Sequence, residues 1–232
     1  MKKKMQIDFD DYVHTYEKTL IDQLGFFVKK RDYYSEYKVE LATRFVVDPL
    51  KVLDFGCGIG LSLPFIKKYF PKSAIFASDT SRQSLDYVAN TYPEVSVIHD
   101  DEIGIQKYDF IFIAGVFHHI ELEDRDLVFQ RLQRCLENNG RMIIFEHNPY
   151  NPLTQKLVSN CEFDADANLV SKGKMYKYIE STPGLRVLSS GYTLFFPESL
   201  KKLHGLENFI RWLPLGGQYF VLVGKKSLPE DD

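Results

Sequence analysis

The sequence is poor in cysteine, in long apolar runs and in positive charge. Its 232 residues include three cysteines, 29 Lys and Arg and 32 Asp and Glu, for a net charge of -3. Because Cys57, Cys135 and Cys161 are odd in number and far apart, we expect neither a disulfide framework nor a zinc site with paired ligands. The slight acidic balance argues against a broad electrostatic surface for nucleic acid.

No apolar run approaches the ~20 residues that cross a bilayer. The N-terminus begins with lysines, but Asp8, Asp10 and Asp11 follow where a signal peptide needs an apolar segment. We therefore expect no secretion, no membrane insertion and a reduced, cytoplasmic setting. The length and the 44% of hydrophobic residues are sufficient for one well-buried domain.

Short apolar segments alternate with helical ones along most of the chain. The predicted strands are 51–55, 74–77, 95–98, 108–114, 141–145, 185–192 and 218–223. The predicted helices are 33–47, 61–70, 81–90, 123–137, 153–159, 171–181 and a short stretch near 197–212. Thr80 or Ser81 suits the N-cap of the helix at 81–90, and Asn139-Gly140 suits a left-handed turn after the helix at 123–137. The alternation predicts an α/β fold, with a mostly parallel sheet and helices on both faces.

The first predicted strand runs into a glycine-rich loop, Asp54-Phe55-Gly56-Cys57-Gly58-Ile59-Gly60. Ligands of open α/β sheets bind at the carboxyl ends of the strands, and glycines let them approach the backbone closely. A nicotinamide fingerprint would need its third glycine at Leu61 or Leu63, and the lysine of a P-loop is missing. Asp54 would repel a pyrophosphate but can bind an ammonium, and Asp79 can accept hydrogen bonds from ribose hydroxyls. The loop therefore suits a nucleoside that carries an amino acid.

Asp54, the three glycines and Asp79 together resemble the cofactor signature of the class I S-adenosylmethionine-dependent methyltransferases. The segment Ala114–Ile120 after the fourth strand is similar to the small-molecule branch of that family. Two short segments, Tyr33–Lys38 and Glu146–Pro152, look similar to bacterial methyltransferases of polysaccharide and natural-product clusters.

The resemblance implies a Rossmann-like, doubly wound, seven-stranded sheet in a single methyltransferase domain. Residues 1–48 would form an N-terminal helical lid, 49–147 the cofactor-binding core, and 148–232 a part with acceptor-facing elements. S-adenosylmethionine would be the cofactor and S-adenosylhomocysteine the product. The implied cofactor residues are Asp54, Gly56, Cys57, Gly58, Gly60, Asp79, Thr80, Asp100 or Asp101 at the adenine, Ala114, Gly115, Val116, His119 and Tyr16.

The acceptor would sit at the ends of the fourth and fifth strands. Methyl transfer to a hydroxyl needs alignment and removal of a proton, so His147 is the first candidate for a general base and His118 the alternative. Catalysis by proximity alone stays open. The candidate acceptor-binding residues are Tyr12, Tyr34 and Asn148. We expect no metal ion, because Mg²⁺ prefers oxygen ligands and adjacent histidines rarely point at one ion.

The sequence thus predicts an enzyme that methylates a small molecule, with an oxygen of a sugar, a nucleotide-linked or a natural-product intermediate as the favoured acceptor. Two alternatives stay open. One is a methyltransferase-like module that binds the cofactor without turnover, and the other is a protein or RNA methyltransferase, which would need a basic or extended docking surface.

Overall fold

The computed structural model describes residues 32–161, 164 and 167–226. Its strands are β1 (Lys51–Phe55), β2 (Ala74–Asp79), β3 (Ser96–His99), β4 (Tyr108–Ala114), β5 (Leu136–His147), β6 (Leu185–Thr193) and β7 (Gln218–Lys225). Its α-helices are α1 (Tyr33–Ala42), α2 (Leu63–Tyr69), α3 (Arg82–Thr91), α4 (Arg125–Cys135), α5 (Pro152–Ser159), α6 (Lys172–Ser181) and α7 (Glu207–Ile210). Two 3₁₀ helices cover Asp100–Ile105 and Glu198–Leu206.

The strands form one seven-stranded sheet in the order β3-β2-β1-β4-β5-β7-β6. β1 to β5 pair in parallel, and β7 lies antiparallel between β5 and β6. The strand order reverses between β1 and β4, where Phe55 is in register with Ile113. β4 pairs with β5 in turn, with Ala114 beside Phe145. The loops after β1, β4 and β5 therefore meet at one edge of the sheet, at the switch point where such folds bind ligands.

β4 shows why this sheet needs helices on both faces. Because side chains alternate along a strand, Phe110 and Phe112 enter the core on one face while Ile111 and Ile113 enter the core on the other. All four side chains are fully buried. Each contributes roughly 1.5–3 kcal/mol of hydrophobic free energy. A strand that is apolar at consecutive positions therefore confirms the prediction of a covered parallel sheet.

Of the two predictions made for helix ends, the N-cap of α3 is confirmed and the turn after α4 is wrong. Ser81 is the N-cap of α3, and its hydroxyl accepts a hydrogen bond from the Ser84 amide at 3.0 Å. The left-handed turn predicted at Asn139-Gly140 is wrong, because β5 already begins at Leu136 and Gly140 has no positive φ. Strand pairing therefore overrides the local turn preference at this point.

Helix α1 is attached to the C-terminal part of the chain by polar contacts. The Tyr33 hydroxyl lies 2.7 Å from His204 Nε2, and the Tyr37 hydroxyl lies 2.6 Å from Thr193 Oγ1 and also donates to Glu207. Among the described residues, no helix combines the length and the apolar character needed to span a bilayer.

Candidate functional site

The loop after β1 depends on its three glycines, each with a positive φ of 69° at Gly56, 51° at Gly58 and 82° at Gly60. A Cβ at Gly56 would lie 2.5 Å from a Val116 methyl group, and one at Gly60 would lie 2.7 Å from Leu63. At Gly58 a Cβ would meet no atom of the described residues within 4 Å. Two glycines are therefore required by packing, whereas Gly58 opens onto free space that a ligand can occupy.

Asp54, the last polar residue of β1, lies two residues before Gly56 and is buried, with 3% of its surface exposed. Its Oδ2 atom accepts no hydrogen bond from any described residue. Burial raises the pKa of Asp54 to about 7, although Lys38 opposes the effect. A buried carboxylate oxygen without a partner is costly, so its place at the loop indicates a ligand that donates hydrogen bonds.

Lys38 on α1 is a site residue that the sequence analysis missed. Burial lowers its pKa to about 8, against the attraction of Glu146 and Asp54. The sequence offers one signal for Lys38. It is a lone basic residue, four residues after Tyr34 and three before Leu41, so all three lie on one face of the helix. That face packs inward, since Leu41 is buried.

The predicted acidic residues occupy three different environments. Asp79 Oδ2 accepts from the Gly58 amide at 2.8 Å and Oδ1 from the Ser81 amide at 2.9 Å, which fixes the carboxylate at the loop. Asp100 pairs with Arg131 at 2.8 Å, whereas the side chain of Asp101 is 82% exposed. Which of these two faces the adenine stays a prediction, as does the contact of the exposed Thr80.

The segment Ala114–Val116 lies against the glycine loop through the contact of Val116 with Gly56. The Gly115 amide donates to the Phe145 carbonyl at 2.9 Å, and the Val116 amide donates to Glu146 Oε1 at 2.9 Å. Cys57, implied as a cofactor residue by the resemblance, lies in the glycine loop, and burial raises the pKa of its thiol well above the usual range.

Two histidines and two carboxylates meet where β4 and β5 end. Glu146 Oε2 lies 2.7 Å from His118 Nδ1, and Asp164 Oδ1 lies 3.2 Å from His118 Nε2. The ring of His147 is centred 5.1 Å from that of His118. His119, predicted to flank the cofactor, has Nε2 at 3.4 Å from Asp164 Oδ1. The sequence analysis missed Asp164, which follows His118 by 46 residues and belongs to no recognisable spacing motif.

His118 and His147 differ in pKa and therefore in charge at pH 7. Burial alone would lower the pKa of His118, but Glu146 and Asp164 outweigh it and raise the pKa to about 9. Burial and the charge of His118 lower the pKa of His147 to about 4. His118 is therefore a buried cation with both ring nitrogens engaged, which counts against its predicted role as the alternative base. His147 is neutral at pH 7.

The side chain of Asn148, which is predicted to bind the acceptor, is engaged by backbone groups of the described residues. It is fully buried, and its Nδ2 donates to the carbonyls of Pro214 at 3.0 Å and Gly216 at 2.8 Å. Its Oδ1 accepts from the Tyr150 amide at 3.1 Å. With these atoms engaged by backbone, the side chain ties the loop after β5 to the turn before β7.

The predicted lid tyrosines are only partly described. The ring of Tyr34 is tilted by 58° against that of Tyr33, with centroids 5.3 Å apart, and burial raises the pKa of Tyr34 to about 12. A cavity of about 500 Å³ lies between α1 and the 3₁₀ helix Glu198–Leu206. Tyr12 and Tyr16 lie outside the described residues.

Comparison with known proteins agrees with this geometry. A family described as a methyltransferase domain matches residues 53–142. An uncharacterised methyltransferase from Staphylococcus carnosus is 30% identical over 156 residues, which are 64% of this chain and 72% of the relative. The chain spans about two fifths of the length of two further curated relatives, 41% of one and 42% of the other.

Solved structures share the fold at low sequence identity. A TehB-like S-adenosylmethionine-dependent methyltransferase from Corynebacterium glutamicum is 17% identical with a TM-score of 0.62, and the match covers 93% of this chain and 99% of that one. The mitomycin 7-O-methyltransferase is 12% identical with a TM-score of 0.62, covering 95% of this chain and 61% of that one. The Staphylococcus relative and the matched methyltransferase domain, which spans the glycine loop, show that the chain belongs to the class I S-adenosylmethionine-dependent methyltransferases.

Proposed function

We propose that this protein transfers a methyl group from S-adenosylmethionine to an oxygen of a small molecule. The observation that carries the proposal is the buried Oδ2 of Asp54, which has no hydrogen-bond partner among the described residues and lies in the strand that leads into the glycine loop. A ligand with an ammonium group next to a nucleoside satisfies that carboxylate and fits a loop in which no lysine is placed to hold phosphates.

The residues around the loop match the functional groups of the cofactor. Asp54 would accept hydrogen bonds from the amino acid ammonium, and Lys38 would pair with its carboxylate. Asp79, held by two backbone amides, keeps lone pairs on both oxygens for the ribose hydroxyls. When bound, S-adenosylmethionine supplies an electrophilic methyl group on a sulfonium ion.

The acceptor side supports a hydroxyl-bearing substrate. His118 follows β4 and His147 ends β5, and β4 pairs with β1, the strand that leads into the glycine loop. Hydrogen-bonding and charged groups in a mostly buried place can orient a hydroxyl and accept its proton. The candidate base His147 is neutral at pH 7 but weak, so orientation of the acceptor would contribute much of the rate. The net charge of -3 favours a small molecule over nucleic acid.

Calorimetric titration with S-adenosylhomocysteine tests the cofactor site. Asp54→Asn and Lys38→Met should each weaken binding by about 10–100-fold, because each removes a charged hydrogen-bonding partner. Asp86→Asn and Lys67→Met, which change exposed residues of the same types, should bind as the wild type does. Wild-type affinity in Asp54→Asn would contradict the proposed cofactor site.

A separate experiment tests turnover and acceptor class. The wild-type protein is incubated with S-adenosylmethionine and pooled hydroxylated small molecules, and S-adenosylhomocysteine is measured. Turnover that depends on a sugar or natural-product pool supports the proposal. Methylation of only ribosomal RNA or protein, or binding without turnover of any pool, would contradict it. His147→Ala should lower kcat more than it raises KM, and an unchanged kcat and pH profile would exclude the general-base role.

A further inference from the structure

We propose that His118, His147 and Asp164 bind one divalent transition-metal ion, for which zinc is the best match. One ligand atom from each of these side chains lies within 4.8 Å of the other two. Bonds of about 2.0–2.2 Å to a common ion place ligand atoms about 3–4 Å apart, so small side-chain rotations bring them into range. His118 is buried, and the other two side chains are partly buried. Binding of the ion would displace the proton from Nε2 of His118 to solvent.

Glu146 prepares His118 for this role. One carboxylate oxygen accepts from the Val116 amide at 2.9 Å and the Phe117 amide at 2.7 Å, which fixes the carboxylate in place. The other oxygen lies 2.7 Å from Nδ1 of His118. The ring is thereby oriented with Nε2 facing Asp164, 3.2 Å from Oδ1. Metal-binding histidines commonly have such a carboxylate on the other ring nitrogen, because it fixes the tautomer and makes the ligand nitrogen more basic.

The ligand set indicates the kind of ion. Two imidazole nitrogens and one carboxylate oxygen suit zinc and its transition-metal neighbours, whereas Mg²⁺ would demand more oxygen ligands. Three protein ligands leave at least one coordination position open, as in catalytic zinc sites.

This inference departs from the expectation of no metal, which rested partly on the adjacent pair His118 and His119. In the fold the two imidazole ligands are His118 and His147, which come from the ends of neighbouring strands. Asp164 completes the set from the segment after α5. None of this pairing follows from the spacing of the three residues in the sequence.

An ion held by these three ligands would keep a position for an acceptor oxygen. Because the ion takes up the nitrogen lone pair of His147 that a general base needs, the ion and not His147 would act on the acceptor hydroxyl in the metal-loaded protein. That role rests on the proposed function, but the binding of the ion does not, so the two can be tested separately.

Cobalt titration of the full chain, without cofactor, tests the proposal. The protein is first freed of metal with a chelator, and Co²⁺ is then added while the visible absorption is followed. We expect one equivalent of Co²⁺ per chain, intense visible bands from low-coordinate cobalt, and loss of the bands when Zn²⁺ displaces it. Asp164→Asn and His147→Ala should each weaken binding by at least about tenfold.

His204→Ala is the matched control, because it removes an imidazole that is hydrogen-bonded to Tyr33 and lies outside the cluster. It should bind cobalt as the wild type does. Because His118→Ala can fail to fold, the test relies on the two variants at less buried positions, with circular dichroism to confirm their folding.

Absence of saturable cobalt binding, or unchanged binding in Asp164→Asn, would overturn the metal site. Titration with S-adenosylhomocysteine in the presence of chelator separates this proposal from the previous one. If S-adenosylhomocysteine binds and cobalt does not, the metal site alone fails. If cobalt binds and S-adenosylhomocysteine does not, the cofactor site alone fails.

Discussion

Replacing Asp54 by Asn should stabilise the ligand-free protein at alkaline pH, even though it damages the proposed cofactor site. Asp54 is only 3% exposed, and burial raises its pKa from 3.8 to about 7. A shift of about three pKa units corresponds to about 4 kcal/mol against the ionised carboxylate in the folded state. Because the variant also leaves Lys38 without one of its partners, we expect a net gain of about 2–4 kcal/mol above pH 7.

The pH dependence gives this prediction its sign. Below about pH 4 the carboxyl group is protonated in both the folded and the unfolded chain, and the two proteins should be similar in stability. Between about pH 4 and pH 7 the unfolded wild-type chain releases a proton that the folded protein retains. The free energy of unfolding of the wild type therefore falls relative to the variant by up to about 1.4 kcal/mol per pH unit. Just above pH 7 the difference should level off, until Lys38, whose pKa is about 8, begins to lose its proton.

Urea unfolding measured between about pH 5 and about pH 8 checks this dependence. Asp86→Asn makes the same chemical change at an exposed position of α3 and should leave the free energy of unfolding within about 0.5 kcal/mol of the wild type throughout. An Asp54→Asn protein that is no more stable than the wild type at pH 8 would refute the reasoning. A difference that does not grow between pH 5 and pH 7 would refute it equally.

Three further changes probe the loop, the turn and the C-terminal attachment. Gly60→Ala should destabilise the protein by about 1–3 kcal/mol in urea unfolding, because Gly60 has a positive φ and the new Cβ would lie 2.7 Å from Leu63. Gly104→Ala is the control and should be nearly neutral, because a Cβ there would meet no atom of the described residues within 4 Å. Asn148→Ala should cost about 2–3 kcal/mol by thermal unfolding, because it leaves buried backbone groups unpaired, and unchanged stability would favour its predicted role in acceptor binding. Glu207→Gln should cost about 1–3 kcal/mol, because Glu207 accepts from the Phe195 amide and the Tyr37 hydroxyl, and a melting temperature equal to that of the wild type would contradict this attachment.

Much of the sheet could be predicted because its signals are local. β1 and β4 have the predicted bounds, since each is a short apolar run that ends at glycine or a small residue. The loop at Gly56–Gly60 was recognisable because only glycine tolerates its backbone angles and its close contacts. By contrast, the boundary between α4 and β5 failed, because pairing of Leu136 with Tyr108 starts the strand before the expected turn.

The candidate site also contains some residues that the sequence predicted and others that it did not. Asp54 was predictable from its place just before the glycines, and Asp79 from its place at the end of the next strand. Lys38 was not singled out, because its importance depends on where α1 packs. Asn148 was assigned to the acceptor from its position after β5, but the partners that occupy it are more than 60 residues away in the chain.

The sequence by itself determined the order of strands and helices, the strained turn at the glycines and the family, because each depends on side chains close together in the chain. Only the tertiary structure decided which charges meet. Packing of α1 brings Lys38 close to Asp54, and the pairing of β4 with β5 places His118 beside Glu146 and His147. Burial then sets their protonation, since the cost of a charge depends on distant segments that exclude water from it.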